Sequence, residues 1–257
     1  MSVEKGDESQ FAFKEIFAGC KALTSRFKRV KRGKRWHVLE PLEAYRHGVY
    51  ISSHDILKES VFRNLMEKAK QPKQLWHFGT PCSSFSRLQN LNGGTRTSLN
   101  PRGDQTLERE KLGNELLRRT VMLIKVLIKY GNFWTLENPT SSLMFWMPSV
   151  KRLSLSKQRR RARLHQCMYL LQLPGSGPNV FCKKDTTFLG NVPGLEQLSV
   201  SCDGSHEHEH VIGGVKTPNG WKRKSELAGA YPLALCKKYE EIVAAGLSQE
   251  DAQGAQS

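Results

Sequence analysis

Leu75-Trp76-His77-Phe78-Gly79-Thr80-Pro81-Cys82 and Phe133-Trp134-Thr135-Leu136-Glu137-Asn138-Pro139 decide how this chain folds. Each opens with apolar, aromatic or β-branched residues and reads as a buried strand. Each then enters a proline-bearing turn that carries one reactive side chain, the thiol of Cys82 or the carboxylate of Glu137. Between them, Leu107 to Tyr130 sets Leu116, Leu117, Met122, Leu123, Val126 and Leu127 at helical spacing and ends at Gly131. Strand, helix, strand predicts parallel pairing, with both turns at the carboxyl edge where open α/β sheets collect ligands.

Working upstream, Phe11 to Phe17 reads as a strand broken at Gly19, followed by a helix over Ala22 to Arg29. Trp36-His37-Val38-Leu39 reads as a second strand ending at Glu40. Ala44 to Tyr50 is expected to include a helix leading into a third short strand before Asp55. Gly19, Glu40, Asp55, Cys82 and Glu137 would then share one rim. Downstream, Gln89 to Gln105 is rich in Gly, Asn, Thr and Arg and reads as a mobile cover. His165 to Leu173 and Thr186 to Leu189 read as strands, and Ser225 to Ala245 as helix interrupted by Pro232. The expected organisation is a disordered 1–10, a cofactor-binding and catalytic core over 11–160, a C-terminal part of the same domain over 161–246 with a small metal or substrate subregion, and a disordered tail over 247–257.

At 257 residues the chain suits one α/β domain and not two large ones. No apolar run approaches the roughly 20 residues of a membrane span, and Met1 to Gln10 is polar and acidic, unlike a secretory leader. An intracellular protein is expected, nuclear in a eukaryote and cytoplasmic in a microbe. A net charge of +16 points to a polyanionic partner, since cations gain both encounter rate and counterion release on nucleic acid. The six cysteines are scattered, which fits chemistry or metal binding better than a disulfide framework.

In their order along the chain, these segments resemble the DNA (cytosine-5) methyltransferase family, as a short, divergent member. Phe17-Ala18-Gly19 is similar to its first methionine-binding motif, Glu40 to its ribose-binding acid, Asp55-Ile56 to its adenine-side motif, Pro81-Cys82 with Phe85-Ser86 to its nucleophile loop, and Glu137-Asn138-Pro139 to its catalytic-acid motif. The resemblance implies a Rossmann-like S-adenosylmethionine-dependent methyltransferase fold of the α/β class, mostly parallel, with a small irregular C-terminal region. It also implies S-adenosyl-L-methionine as cofactor, with Phe17, Ala18, Gly19, Glu40, Asp55, Ile56 and Pro81 around it. Cys82 would add to carbon 6 of cytosine, Glu137 would stabilise the ring, and Asn138 would fix Glu137. Ser84, Ser86 and Arg87 are expected on the substrate side. So are Lys183 and Lys184, in place of the family's Gln-x-Arg-x-Arg motif, which has no clear counterpart here. Cys20-Lys21-Ala22 stands where a second glycine is usual, and Thr80 replaces the common proline before Pro81. Ala230-Tyr231-Pro232 loosely resembles the last cofactor-side motif. The intervals are too short for a large target-recognition domain. DNA is the favoured substrate; RNA such as tRNA, and a noncatalytic basic nucleic-acid-binding module on the same fold, remain alternatives.

Two further features stand apart. Cys202-Asp203-Gly204-Ser205-His206-Glu207-His208-Glu209-His210 is rich in zinc ligands, and Cys167, Cys182, Cys202 and His206 are the expected set for a structural zinc ion. The basic runs Arg26 to Arg35 and Lys157 to Arg163 differ in placement. The first is expected away from the rim, the second beside it as a clamp on a nucleic-acid backbone.

Overall fold

The computed structural model describes residues 11–30, 36–46, 48–155, 159–217 and 220–254. The segment 1–10, residues 31–35 of the first basic run, 156–158 at the start of the second, and 255–257 of the tail lie outside the described residues.

Six strands form the central sheet: β1 (Phe11–Ile16), β2 (Trp36–Val38), β5 (Gln74–Phe78), β6 (Phe133–Pro139), β7 (Arg160–His165) and β9 (Asp185–Gly190), in the order β2-β1-β5-β6-β9-β7. The first four pair in parallel, while β9 runs antiparallel to both β6 and β7. This is the expected mostly parallel, Rossmann-like order, with one reversed strand near the edge. Among the described residues, short strands also lie outside the sheet: the antiparallel pair β3 (Tyr45–Arg46) with β4 (Val49–Tyr50), and the parallel pair β8 (Val180–Phe181) with β10 (Glu207–His208). A further antiparallel pair is β11 (Gly214–Thr217) with β12 (Gly220–Arg223).

The α-helices among the described residues are α1 (Ala22–Arg29), α2 (Glu59–Lys68), α3 (Glu108–Lys129), α4 (Pro148–Leu153), α5 (Lys224–Leu227) and α6 (Leu233–Gly254). Side chains alternate across each strand, so Trp76, Phe78, Trp134 and Leu136 pack with α2, α3 and α4 on one face. Phe11, Phe13, Leu75 and Phe188 pack with α1 and α6 on the other. Strand β5 is buried throughout, as a central parallel strand covered on both faces should be. Each fully buried large apolar side chain contributes about 1.5–3 kcal/mol, and these two layers hold the strand ends in register.

Several expectations change. The described residues of the expected Ala44 to Tyr50 helix are not helical; they include the antiparallel β3–β4 pair, where Tyr45 and Tyr50 face each other with ring centroids 5.2 Å apart. The third strand before Asp55 is a helical turn, Ser52–His54. The strand expected over His165 to Leu173 is displaced upstream to β7, and Gln166–Tyr169 is a helical turn. Of the expected basic clamp, Arg160, Arg161 and Arg163 lie in edge strand β7, where buried Ala162 and Leu164 alternate with them. Arg163 pairs with Asp185 at 2.6 Å and Arg160 with Glu196 at 3.7 Å, which is how charged residues protect a sheet edge. The tail expected from residue 247 is helical through Gly254, because Leu247 is buried in the α1–α6 layer.

The segment 89–105 is a tethered wall and not a loose cover. Arg96, 1% exposed, stacks on the Phe85 ring at 4.0 Å. Its guanidinium donates to the carbonyls of Pro101, Arg102 and Glu110 and to Asn114 Oδ1. Glu110 in turn accepts from the backbone N–H groups of Thr95 and Asp104. A buried guanidinium with this many acceptors fixes the loop to the start of α3.

Candidate active site

The sheet order reverses between β1 and β5: the chain leaves β1 toward β2 on one side, and β5 continues toward β6 on the other. A ligand crevice opens at such a switch point. The turns after β1 and β5 approach closely there. Gly79 N–H donates to Ile16 O at 3.0 Å, and a Cβ on Gly79 would sit 3.0 Å from Phe17 O. Only glycine fits this contact without displacing the backbone.

On the β1 side, Phe17, Gly19 and Lys21 all have positive φ, giving a tightly wound turn. A Cβ on Gly19 would meet nothing within 4 Å, so the turn faces open space. Ala18 is buried, and Phe17 packs at the margin of the α2–α3 layer. Glu40 lies just past β2 with an exposed carboxylate 3.4 Å from Arg46. Its carbonyl accepts from Lys14 Nζ at 2.5 Å; burial, then the nearby Lys68, bring the Lys14 ammonium down to about 8. The open turn and the exposed acid thus lie at the ends of neighbouring strands. The sequence reading missed Glu43, whose Oε2 accepts from Gly19 N–H at 2.8 Å, and Glu15, whose carboxylate is pushed up to about 7 by burial against opposing hydrogen bonds from Thr24.

Asp55 and Ile56 are occupied in other ways. Asp55 accepts from Tyr50 Oη at 2.6 Å and from Leu57 N–H at 2.9 Å, a local turn. Ile56 is 2% exposed within the α2–α3 core, and its carbonyl accepts from Arg119.

On the β5–β6 side, Cys82 is half-buried at the start of the helical turn Ser83–Phe85, and Pro81 beside it is exposed. Glu137 is 7% exposed near the end of β6. Its Oε2 accepts from Tyr231 Oη at 3.0 Å, whereas Oε1 is buried with no partner among the described residues. Asn138 Nδ2 donates to Thr80 O at 2.7 Å, tying the β6 turn to the Cys82 loop, and its Oδ1 is likewise unpartnered. Asn138 thus acts as a positioning residue.

Lys184, half-buried, holds its ammonium 6.0 Å from the Tyr231 ring centre. Burial raises the Glu137 carboxyl, opposed by the Lys184 charge and then by the Tyr231 hydrogen bond. Burial and then the Glu137 charge raise the Cys82 thiol, again opposed by Lys184. Cys82, Glu137 and Lys184 therefore form one electrostatic unit, and a thiolate is favoured when Glu137 is neutral and Lys184 charged.

The other expected substrate residues divide. Ser84 turns inward, accepting from Arg96 at 3.3 Å, and a Cβ on Gly113 would lie 2.0 Å from its Oγ. It locks the loop to α3 beside a cavity lined by Pro81, Ser83 and Gly113. Ser86 Oγ accepts from Leu88 N–H at 3.3 Å as a turn cap. Arg87 and Lys183 are exposed.

Tyr231, loosely matched to a cofactor-side motif, belongs instead to a buried chain beneath Glu137. His77 Nε2 lies 3.0 Å from Tyr231 Oη, His77 Nδ1 2.8 Å from Thr135 Oγ1, and Thr135 Oγ1 2.7 Å from Tyr239 Oη. One proton count fixes every direction. Tyr231 gives its only hydrogen to Glu137, so His77 Nε2 donates to Tyr231. Nδ1 then accepts from Thr135, which accepts from Tyr239. Burial drives His77 down to about 3, so the ring is neutral. Strand register makes the chain possible, because His77 and Thr135 are paired and Thr135 and Glu137 share one face of β6.

Past the carboxyl end of edge strand β7, on the same rim as the turns after β5 and β6, the metal-ligand side chains brought together are Cys167, Cys202, His206 and His208. Cys182 is not among them; it is fully buried in the apolar cluster of Leu171, Leu173 and Ala228.

No family model matches the chain, and no curated protein matches it. Among solved structures, the chain is similar to one described as Entamoeba histolytica methyltransferase EhMeth, at 14% identity and a TM-score of 0.44, over 78% of this chain and 58% of that one. The chain therefore spans less than two thirds of that protein. Among the described residues, no helix is long and apolar enough to cross a membrane.

Proposed function

We propose that the chain is an S-adenosyl-L-methionine-dependent methyltransferase acting on carbon 5 of cytosine in nucleic acid, DNA by preference. The observation that supports this most is the buried, unpartnered Oε1 of Glu137 beside the Cys82 loop. A native structure leaves a carboxylate oxygen in that state at a cost of about 1–3 kcal/mol, and the polar edge of a pyrimidine would offset it.

The cofactor, held between the Phe17-Ala18-Gly19 turn and Glu40, supplies an electrophilic methyl group when bound. Everything else is done by this chain and the base. Cys82 first loses its proton to solvent; its thiolate sulfur then bonds to carbon 6, while ring N3 takes a proton from Glu137 and electron density moves to carbon 5. Lys184 steadies the thiolate before attack and the Glu137 carboxylate after it. Once carbon 5 carries the methyl group, its proton leaves to a base, the carbon–sulfur bond breaks and Glu137 regains its proton. The Tyr231–His77–Thr135 chain holds Glu137 Oε2 throughout, so that only Oε1 faces the base. Reaching a base in a duplex requires flipping it out, at a cost of a few kcal/mol.

The test is incubation with methyl-labelled cofactor and duplex DNA, single-stranded DNA or tRNA, in parallel with Cys82→Ala. Label at cytosine carbon 5 that the variant abolishes supports the reading, and the preferred polymer names the substrate. Nucleic-acid binding without label on any polymer would favour a noncatalytic binding module.

A further inference from the structure

We infer that Cys167, Cys202, His206 and His208 form a closed structural zinc site that pins the C-terminal subregion to the sheet edge. Their ligand atoms all lie within 4.8 Å of one another. Cys202 Sγ is 3.6 Å from His206 Nε2 and 3.4 Å from His208 Nε2, and the two Nε2 atoms are 3.1 Å apart. A tetrahedral ion with zinc–sulfur and zinc–nitrogen bonds of about 2.3 and 2.0 Å requires sulfur–nitrogen and nitrogen–nitrogen separations of roughly 3.5 and 3.3 Å. The observed spacings match that figure. Two imidazole nitrogens and two sulfurs converge within 4.8 Å of one another, donor types that zinc favours.

The supporting shell is also in place. Gly204 N–H points at Cys202 Sγ at 3.4 Å, and Ser205 Oγ is 3.5 Å from His206 Nδ1, the nitrogen turned away from the centre. Such partners orient ligating groups. The ligands come from separate segments. Cys167 lies in the turn after β7, Cys202 follows a backbone bond from His165 N–H to Val200 O, and His208 is in β10, paired with β8. Four protein ligands leave no open position, so the site is structural and not catalytic. The subregion's own apolar cluster is small among the described residues, Leu171, Leu173, Cys182 and Ala228 with Val211 and Leu227 packed on it, and a metal would add to its hold on β8, β10 and their loops.

The full chain, produced without a histidine tag and purified under reducing conditions, should carry about one zinc per molecule by elemental mass spectrometry. After metal removal, cobalt(II) titration should give the intense visible bands and sulfur charge-transfer absorption of a tetrahedral site with two thiolates. His208→Ala, an exposed change, should lower retained metal at least severalfold, while His210→Ala, equally exposed but outside the cluster, should leave it at the wild-type level. Wild-type protein with neither zinc nor cobalt bands, a Cys167–Cys202 disulfide in place of metal, or equal loss in the two histidine variants would overturn the assignment. None of these readouts depends on methyl transfer.

Discussion

Removing one hydroxyl, in Tyr231→Phe, should unmake the buried chain beneath Glu137. The ring stays the same size, so packing against His77 and Phe188 is preserved. What is lost is the donor to Glu137 Oε2 and the acceptor for His77 Nε2, each at 3.0 Å. Both partners are buried and no other described group replaces the hydroxyl, so each becomes an orphan costing about 1–3 kcal/mol. Together they should lower stability by about 2–4 kcal/mol, or roughly 5–15 °C in melting temperature for a chain of this size. Thr135→Val removes the opposite end of the same chain, where Thr135 donates to His77 Nδ1. Once either end is cut, the His77 ring can relax, so the double variant should lose less than the sum of the single losses. Circular-dichroism melts of the four proteins at one pH provide the assay. A Tyr231→Phe melt unchanged from wild type, or strictly additive losses, would refute the chain as a connected unit.

Other consequences can be checked separately. Glu15 is raised to about 7 from 4.5, so its contribution to stability is fully present below pH 4.5 and lost as pH rises through 7. Glu15→Gln keeps an acceptor for Thr24 and should gain on wild type from near zero at pH 5 to about 3 kcal/mol above pH 7; a difference in melting temperature that stays flat over that range would count against it. Glu137→Gln removes the charge that raises Cys82, and Lys184→Met removes the charge that lowers it. Alkylation of the Cys82 peptide, followed by mass spectrometry, should therefore speed up severalfold in the first and slow in the second, and shifts in the same direction would contradict the shared electrostatics. Gly113→Ala should cost about 1–3 kcal/mol by overpacking against Ser84, although alanine ordinarily stabilises a helix interior by roughly 1 kcal/mol; a higher melting temperature would contradict the tight contact.

The segments that alternation and turn chemistry describe best were legible from sequence. Strands β1, β5, β6 and β9 and helices α1 and α3 fall where their apolar spacing and their Gly or Pro breaks put them. The misread parts had signals that a stronger pattern masked. In β7 the arginines drew attention, although Ala162 and Leu164 alternate between them with strand period. Helix α2 was not assigned from the sequence, although Phe62 and Leu65 stand at helical spacing there. Other features could not be read locally at all. Tyr231 meets His77 across 154 residues and Glu137 across 94, and no local motif carries that contact. Among the metal ligands, composition identified the cluster but could not choose between Cys182 and His208. The choice was made by packing, which buries Cys182 in the apolar core, and by the β8–β10 pairing, which places His208 beside Cys202. Ile56 resembles a family motif in position and Ser84 was expected on the substrate side; Ser84 accepts from Arg96 and Ile56 packs in the core, contacts that only the fold reveals.

The most direct test of the account is covalent trapping on DNA or RNA containing 5-fluorocytosine, in the presence of cofactor. Once carbon 5 carries both fluorine and the new methyl group, it has no proton to release, so Cys82 cannot be expelled. The account predicts a denaturation-resistant protein–nucleic acid adduct whose crosslinked peptide contains Cys82, absent from Cys82→Ala and diminished in Glu137→Gln. Methyl transfer to ordinary cytosine with no adduct on the fluorinated polymer, or an adduct at another cysteine, would contradict it.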